Sequence, residues 1–292
     1  MIERLLQAAR SGNAYRIQGD ATAMRAATDR LLAMPFVGKA EPSVSVVPGS
    51  LGGIGGEWLV PPAVGSDATL IFLHGGGYVR GNLALGRGNA TELAAHTRAR
   101  VFAVAYRQGP EYPFPAAFDD TIAVCRAIEL EGRPYVLIGE SAGGGLVLAA
   151  AMALRDHGLR LPAALVGISP FLDLTMSGES WEFNADKDMA TRAMGEDMIR
   201  LYMGAQDRRD WRASPLFGEF HDLPPTLITL GGAEGLYSEA AEAARKADAA
   251  GVAVWLDVFE GMPHGFSKYT LDAARLAISR VADWVCERLR AG

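Results

Sequence analysis

Residues 139–145 read GESAGGG, set between the apolar run YVLI and the helix-like stretch LVLAAAMAL. Gly139, Glu140, Ser141, Ala142 and Gly143 fit the pattern G-x-S-x-G, in which a serine occupies a sharp strand-to-helix turn. The residues two positions away must be small, because the strand and helix backbones nearly collide there. The serine then projects above the strand ends, at the positive end of the following helix, where developing negative charge is favoured. An ordinary glycine-rich strand–helix turn has the same composition, so the pattern needs partners.

A second glycine cluster, HGGG at 74–77, closes the apolar run TLIFL. Acyl transfer through a tetrahedral intermediate needs backbone N–H groups aimed at the oxyanion. Glycine lets the main chain turn those groups outward. HGGG followed by G-x-S-x-G is the arrangement of lipases and esterases. It places the donors on Gly76, Gly77 and Ala142, with His74 bracing the loop. A serine hydroxyl also needs a general base. Of the five histidines, His264 lies in EGMPHGF, directly after the last apolar run, AVWLDVF, and before the last helix-like segment. The loop is on the same sheet edge as the serine. An acid should stand between Ser141 and His264 in the chain. TLITLGGAEGLYSE offers Glu234 first and then Glu239, and SPFLDL offers Asp173. Asp257, inside the final strand, is less able to reach.

The elements that must hold these groups follow from the hydrophobic pattern. The runs TLIFL, VFAVAY, YVLIGE, ALVGIS, TLITLGG and AVWLDVF alternate with helix-like segments at 86–97, 116–130, 143–157, 238–250 and 270–290. Continuous apolar strands separated by helices indicate a parallel sheet covered on both faces. Residues 2–34 look helical in two pieces, broken near Ser11–Gly12–Asn13. Residues 42–62 are rich in Pro and Gly, with short strands expected around 44–47 and 56–60 as an antiparallel edge. The stretch between Pro170 and Pro224 breaks the rhythm and is rich in Trp, Phe and Met. An insertion over the sheet fits it better than a linker, because linkers are rarely so aromatic.

The chain has 292 residues, about half of them apolar, and a formal charge of −6. No basic run interleaved with aromatics is present, which argues against a nucleic-acid partner. No segment reaches the length of a membrane span, and the N-terminus lacks a signal-peptide core, so a cytoplasmic protein is expected. Cys125 and Cys286 have neither metal-ligand nor CxxC spacing and read as buried free thiols.

Taken together, these residues resemble the hormone-sensitive-lipase-like family of α/β-hydrolase esterases, from about residue 56 to the C-terminus. The resemblance rests on HGGGY at 74–78, YRQGPEYPFPAAFDD at 106–120, GESAGGG at 139–145, SPFLDL at 169–174 and MPHGF at 262–266. It implies an α/β-hydrolase fold: a mostly parallel eight-stranded sheet with helices on both faces and a helical cap. The cap would comprise residues 1–40 and 171–222, and the core 41–170 and 223–292. It implies a serine carboxylesterase acting on short-chain esters through an acyl-enzyme, with Ser141, Glu234 and His264 as triad and Gly76, Gly77 and Ala142 as oxyanion hole. No metal or cofactor is implied. Tyr78, Trp181, Phe183 and Met34 are expected to line the substrate pocket, and the last strand and helix could form an edge-to-edge homodimer. The same machinery would open lactones or formamides, and a ligand-binding member of the fold without activity would be expected to lack the serine or histidine. The chain departs from the family where the middle block usually reads nearer YRLAPEHPFPAA, with Gln108, Gly109 and Tyr112 in place of the common residues. Glu140 stands where aspartate is frequent, and Glu234 where the acid is usually aspartate.

Overall fold

A computed structural model describes residues 20–291. The first helical piece expected within 2–34 lies outside the described residues. The second is α1 (Ala21–Leu32), started by Asp20, whose side chain accepts from the Thr22 N–H. Eight strands follow in one sheet: β1 (Ser45–Leu51), β2 (Ile54–Val60), β3 (Thr69–Leu73), β4 (Arg100–Val104), β5 (Tyr135–Glu140), β6 (Ala164–Ile168), β7 (Thr226–Gly231) and β8 (Val254–Phe259). Their spatial order is β1-β2-β4-β3-β5-β6-β7-β8. β2 pairs antiparallel with both β1 and β4, and every other pairing is parallel.

The interleaved helices are α2 (Leu83–Thr97), α3 (Ala116–Leu130), α4 (Ala142–Asp156), α7 (Tyr237–Ala249) and α8 (Asp272–Ala291). Between β6 and β7 lie α5 (Ser180–Phe183) and α6 (Arg192–Met203), with no strand. Strand side chains alternate between faces. Leu70 and Phe72 of β3 therefore join α2 and α8 in one core layer, which includes Leu93 and Val281. Ile71 and Leu73 join α3, α4 and α7 in the other, which includes Val124 and Leu146. The central strands β3, β5, β6 and β7 are buried at every residue.

Two expectations change. The run AVWLDVF reads like the covered strands, yet in β8, which with β1 edges the sheet, Trp255 and Leu256 are exposed. Cys125 is buried, and burial pushes its thiol up to about 12, whereas Cys286 is only half-buried. Among the described residues, no helix is long and apolar enough to cross a membrane.

Candidate active site

Ser141 joins β5 to α4 with φ 52° and ψ −117°. A non-glycine residue at positive φ costs on the order of 1–3 kcal/mol and persists only where its surroundings hold it. Here the Ser141 N–H donates to the Ile168 carbonyl at 2.9 Å, and the Ser141 carbonyl accepts from Phe171 at 2.9 Å and Gly144 at 2.9 Å. The flanking glycines have no alternative. A Cβ on Gly139 would stand 2.1 Å from the Gly143 oxygen, and one on Gly143 would stand 2.0 Å from the Leu73 oxygen.

The imidazole of His264, in the loop after β8, reaches back to the serine, with Nε2 3.1 Å from Ser141 Oγ. Its Nδ1 lies 2.9 Å from Glu234 Oε2. Glu234 sits three residues beyond the end of β7 and is fully buried. Its other oxygen, Oε1, accepts from the Ser169 hydroxyl at 2.6 Å and the Gly231 N–H at 2.6 Å. A proton on Nδ1, the nitrogen that faces the carboxylate, leaves Nε2 to accept from the serine hydroxyl. The other acids are engaged elsewhere. Asp173 caps its own turn, accepting from the N–H and hydroxyl groups of Thr175 and Ser177. Glu239 lies on α7 and accepts from the Leu172 N–H at 2.6 Å, and burial raises its carboxyl well above the usual range.

Gly76 and Gly77 have φ of 120° and 60°. The Gly76 carbonyl accepts from Val79 and Arg80, so its peptide turns inward on the loop. A Cβ on Gly77 would stand 2.2 Å from Met198 Sδ. Ala142 is the first residue of α4, where the N–H has no intrahelical acceptor. His74 stacks on Tyr106 with ring centroids 4.3 Å apart, and its Nδ1 pairs with the Gly75 carbonyl at 2.8 Å. Burial lowers it to about 4, so it stays neutral near pH 7.

Ser141, His264 and the buried Glu234 thus stand in hydrogen-bonded sequence at the strand ends, and residues 70–268 match the family described as alpha/beta hydrolase fold. The chain belongs to that family, in its hormone-sensitive-lipase-like branch of esterases. It is 37% identical over 234 residues to an acetyl-hydrolase of Streptomyces hygroscopicus, covering 78% of each chain. It is 32% identical over 251 residues to an esterase of Acinetobacter venetianus, covering 83% of this chain and 82% of that one. A crystal structure of an esterase from the bacterial hormone-sensitive lipase family superposes with a TM-score of 0.91 at 32% identity, covering 99% of this chain and 98% of that one.

The hydrolase has supports that sequence reading missed. Asp188, buried between α5 and α6, accepts from the His264 N–H, the Met189 N–H and the Gly235 N–H, each at 2.7 Å. It thereby ties the histidine loop to the residue after Glu234. Burial raises its carboxyl, while His264 pulls the other way. Asn184, one helical turn earlier, donates to the carbonyls of Gly232 and Glu234. Two polar residues four apart in an aromatic-rich insertion were the available signal. Beside the serine, buried Glu140 accepts from Asn89 at 2.5 Å and pairs with Lys268 at 2.6 Å. Burying one charge is costly unless it is paired, and Lys268 follows His264 by one helical turn.

Ser141, His264 and Gly75–Gly77 open into a cleft of about 770 Å³, counted with the solvent at its mouth. Phe171, Trp181, Met198 and Leu236 give it apolar walls, and Arg80 and Thr191 are polar exceptions. Of the expected pocket residues, Trp181 lines this cleft. Tyr78 does not: it is buried beneath the site, stacked on Tyr202 at 4.2 Å. Phe183, at the end of α5, is 50% exposed and is not part of the cleft lining. Met34 packs with Val37, Met189 and Tyr269, and Leu31 of α1 lines the cleft instead.

Proposed function

We propose that this carboxylic-ester hydrolase works through a covalent acyl-serine, with Ser141, His264 and Glu234 as triad, on esters with short acyl groups. Ser141 Oγ attacks the ester carbon while His264 Nε2 takes its proton. The carbonyl oxygen becomes an oxyanion among the N–H groups of Gly76, Gly77 and Ala142. The tetrahedral species collapses as His264 returns the proton to the departing alcohol. Water then repeats the sequence against the acyl-serine, releasing the carboxylic acid and the free hydroxyl. Glu234 fixes the ring tautomer and stabilises the imidazolium without taking its proton.

The observation that carries this reading is the unbroken relay from Glu234 through His264 to Ser141, at 2.9 Å and 3.1 Å, ending in a cleft bordered by the glycine loop. Residues 171–222 together with α1 act as the cap: Trp181 and Met198 supply cleft walls from the insertion and Leu31 supplies one from α1. The preference for short chains is supported by the bulk around the serine. Phe171 and Trp181 meet edge to face with centroids 6.3 Å apart, and Trp181 presses so closely on Gly235 that a Cβ there would stand 2.6 Å from its ring. The acetyl-hydrolase named among the relatives is consistent with that size.

A panel of p-nitrophenyl esters from acetate to decanoate tests the substrate range. The kcat/KM should fall as the acyl chain lengthens, and Trp181→Ala should move the optimum to longer chains. A wild-type optimum at decanoate would contradict the short-chain reading.

A further inference from the structure

The loop that carries Gly76 and Gly77 is held from outside by residues remote from the triad. Gly81 lies against its inner part: a Cβ on Gly76 would stand 2.3 Å from Gly81 N, and one on Gly81 would stand 2.1 Å from the Gly75 oxygen. Any displacement of Gly81 is therefore passed on to Gly75 and Gly76 by direct contact. Both main-chain groups of Gly81 are bound by a single side chain. Its N–H donates to Gln108 Oε1 at 3.0 Å, and its carbonyl accepts from Gln108 Nε2 at 2.9 Å. A side-chain amide offers donor and acceptor side by side, as the edge of a strand does. Leucine, usual at this position in the family block, can form neither bond.

The grip continues along the loop. Gly109 N–H donates to the Tyr78 carbonyl at 2.9 Å. Arg25 of α1 donates from Nε to the Val79 carbonyl at 2.9 Å and from Nη2 to the Gly109 carbonyl at 2.9 Å. Its guanidinium is oriented by Glu111, with two contacts of 2.7 Å. Gly109 is itself seated tightly, since a Cβ there would stand 2.8 Å from the Leu201 oxygen of α6. Tyr78 and Gly81 are thus fastened to residues 108–109 directly, and Val79 through Arg25.

We propose that Gln108 is a positioning residue for the oxyanion loop, fixing Gly81 and through it the N–H groups of Gly76 and Gly77, with Arg25 joining that grip to α1. The proposal rests on the reading of those glycines as oxyanion donors. Removing one such donor outright costs about 10²–10³ in rate, and a donor held slightly out of place costs part of that. Gln108→Leu leaves both polar groups of buried Gly81 without their partner, so the loop must shift to re-satisfy them.

The test uses Gln108→Leu and Gln108→Glu in the full chain. Hydrolysis of p-nitrophenyl acetate is measured beside the affinities of two acetyl compounds. One is a trifluoromethyl ketone, which Ser141 converts to a tetrahedral alkoxide as His264 takes the hydroxyl proton. The other is a planar, unreactive amide. Gln108→Leu should lower kcat/KM by roughly 10–100-fold and weaken the ketone by a similar factor, leaving the amide within about twofold. Gln108→Glu keeps an acceptor for the Gly81 N–H and loses the donor, so it should fall between wild type and leucine. It carries the same comparison if the leucine variant fails to fold. A merely structural role would lower Tm and leave both ligands unchanged well below it. A kcat/KM within about twofold of wild type, or equal weakening of ketone and amide, overturns the proposal. If Ser141→Ala is inactive in the same assay, only the grip falls. If Ser141→Ala still turns over, the underlying mechanism falls first.

Discussion

The two halves of the site are built from different materials. On the serine side the geometry is made by main chain: Gly139, Gly143 and Gly76 stand where a Cβ would come within 2.0–2.3 Å of a backbone atom. On the histidine side it is made by buried carboxylates. Glu234 holds the imidazole, and Asp188 holds the backbone of His264 together with that of Gly235. A close backbone approach admits one residue type and leaves a contiguous signature. A carboxylate that arrives from a distant segment leaves none. The first half should therefore fail when atoms are added, and the second when charge is removed.

The largest effect tests the point where the halves meet. Ser141→Ala should lower kcat/KM for p-nitrophenyl acetate by on the order of 10⁴-fold or more with little change in Tm. His264→Asn should cost about as much, and the double variant little more than either, because residues acting as one unit are not additive. A tenth of wild-type turnover in Ser141→Ala, or losses that multiply, would separate the halves into independent devices.

Glu234→Gln keeps shape and removes charge, and should lower turnover by about 10²–10⁴-fold. Glu234→Asp keeps the charge and shortens the reach, so it should retain more activity than glutamine. Full activity in Glu234→Gln would mean that another carboxylate serves the imidazole.

The sharpest contrast between the halves comes from Gly143→Ala and Asp188→Asn. The first adds one methyl at 2.0 Å from the Leu73 oxygen, and overpacking of this kind costs about 1–3 kcal/mol or more. Its Tm should fall, and misplacement of the nucleophile should cost about 10²-fold in kcat. Asp188→Asn adds no volume, but its amide cannot accept from all three N–H groups and faces one of them as a donor. It should lose roughly 10–100-fold in kcat as the histidine loop relaxes, more than its change in Tm would suggest. Wild-type kcat in Asp188→Asn would confine that residue to stability.

The same contrast explains what could be read beforehand. The sheet was legible because β3, β5, β6 and β7 are buried on both faces and appear as unbroken apolar runs between helical segments. Glu234 could be picked out by chain order, as the first acid beyond the end of β7. Asp188 and Asn184 lie in a segment with no regular period, and their partners are backbone groups about 50 to 75 residues away. The local mark is a pair of polar residues four apart, which does not say what they bind. Tyr78, Phe183 and Met34 failed as pocket residues for a related reason. Composition says that an insertion has an apolar face, while packing decides which aromatic turns to the cleft, to the core or to solvent. The exposure of Trp255 and Leu256 was hidden because the run that holds them is as apolar in sequence as an inner strand.

The central claim is a covalent acyl group on one named oxygen. The direct measurement is mass spectrometry of the wild-type protein mixed with p-nitrophenyl acetate and quenched in acid within the first turnover, followed by peptide mapping. One acetyl group per chain should be found on Ser141, absent from Ser141→Ala and longer-lived in His264→Asn. Turnover of the ester with no acetyl on Ser141 at any quench time, together with an active Ser141→Ala protein, would contradict it.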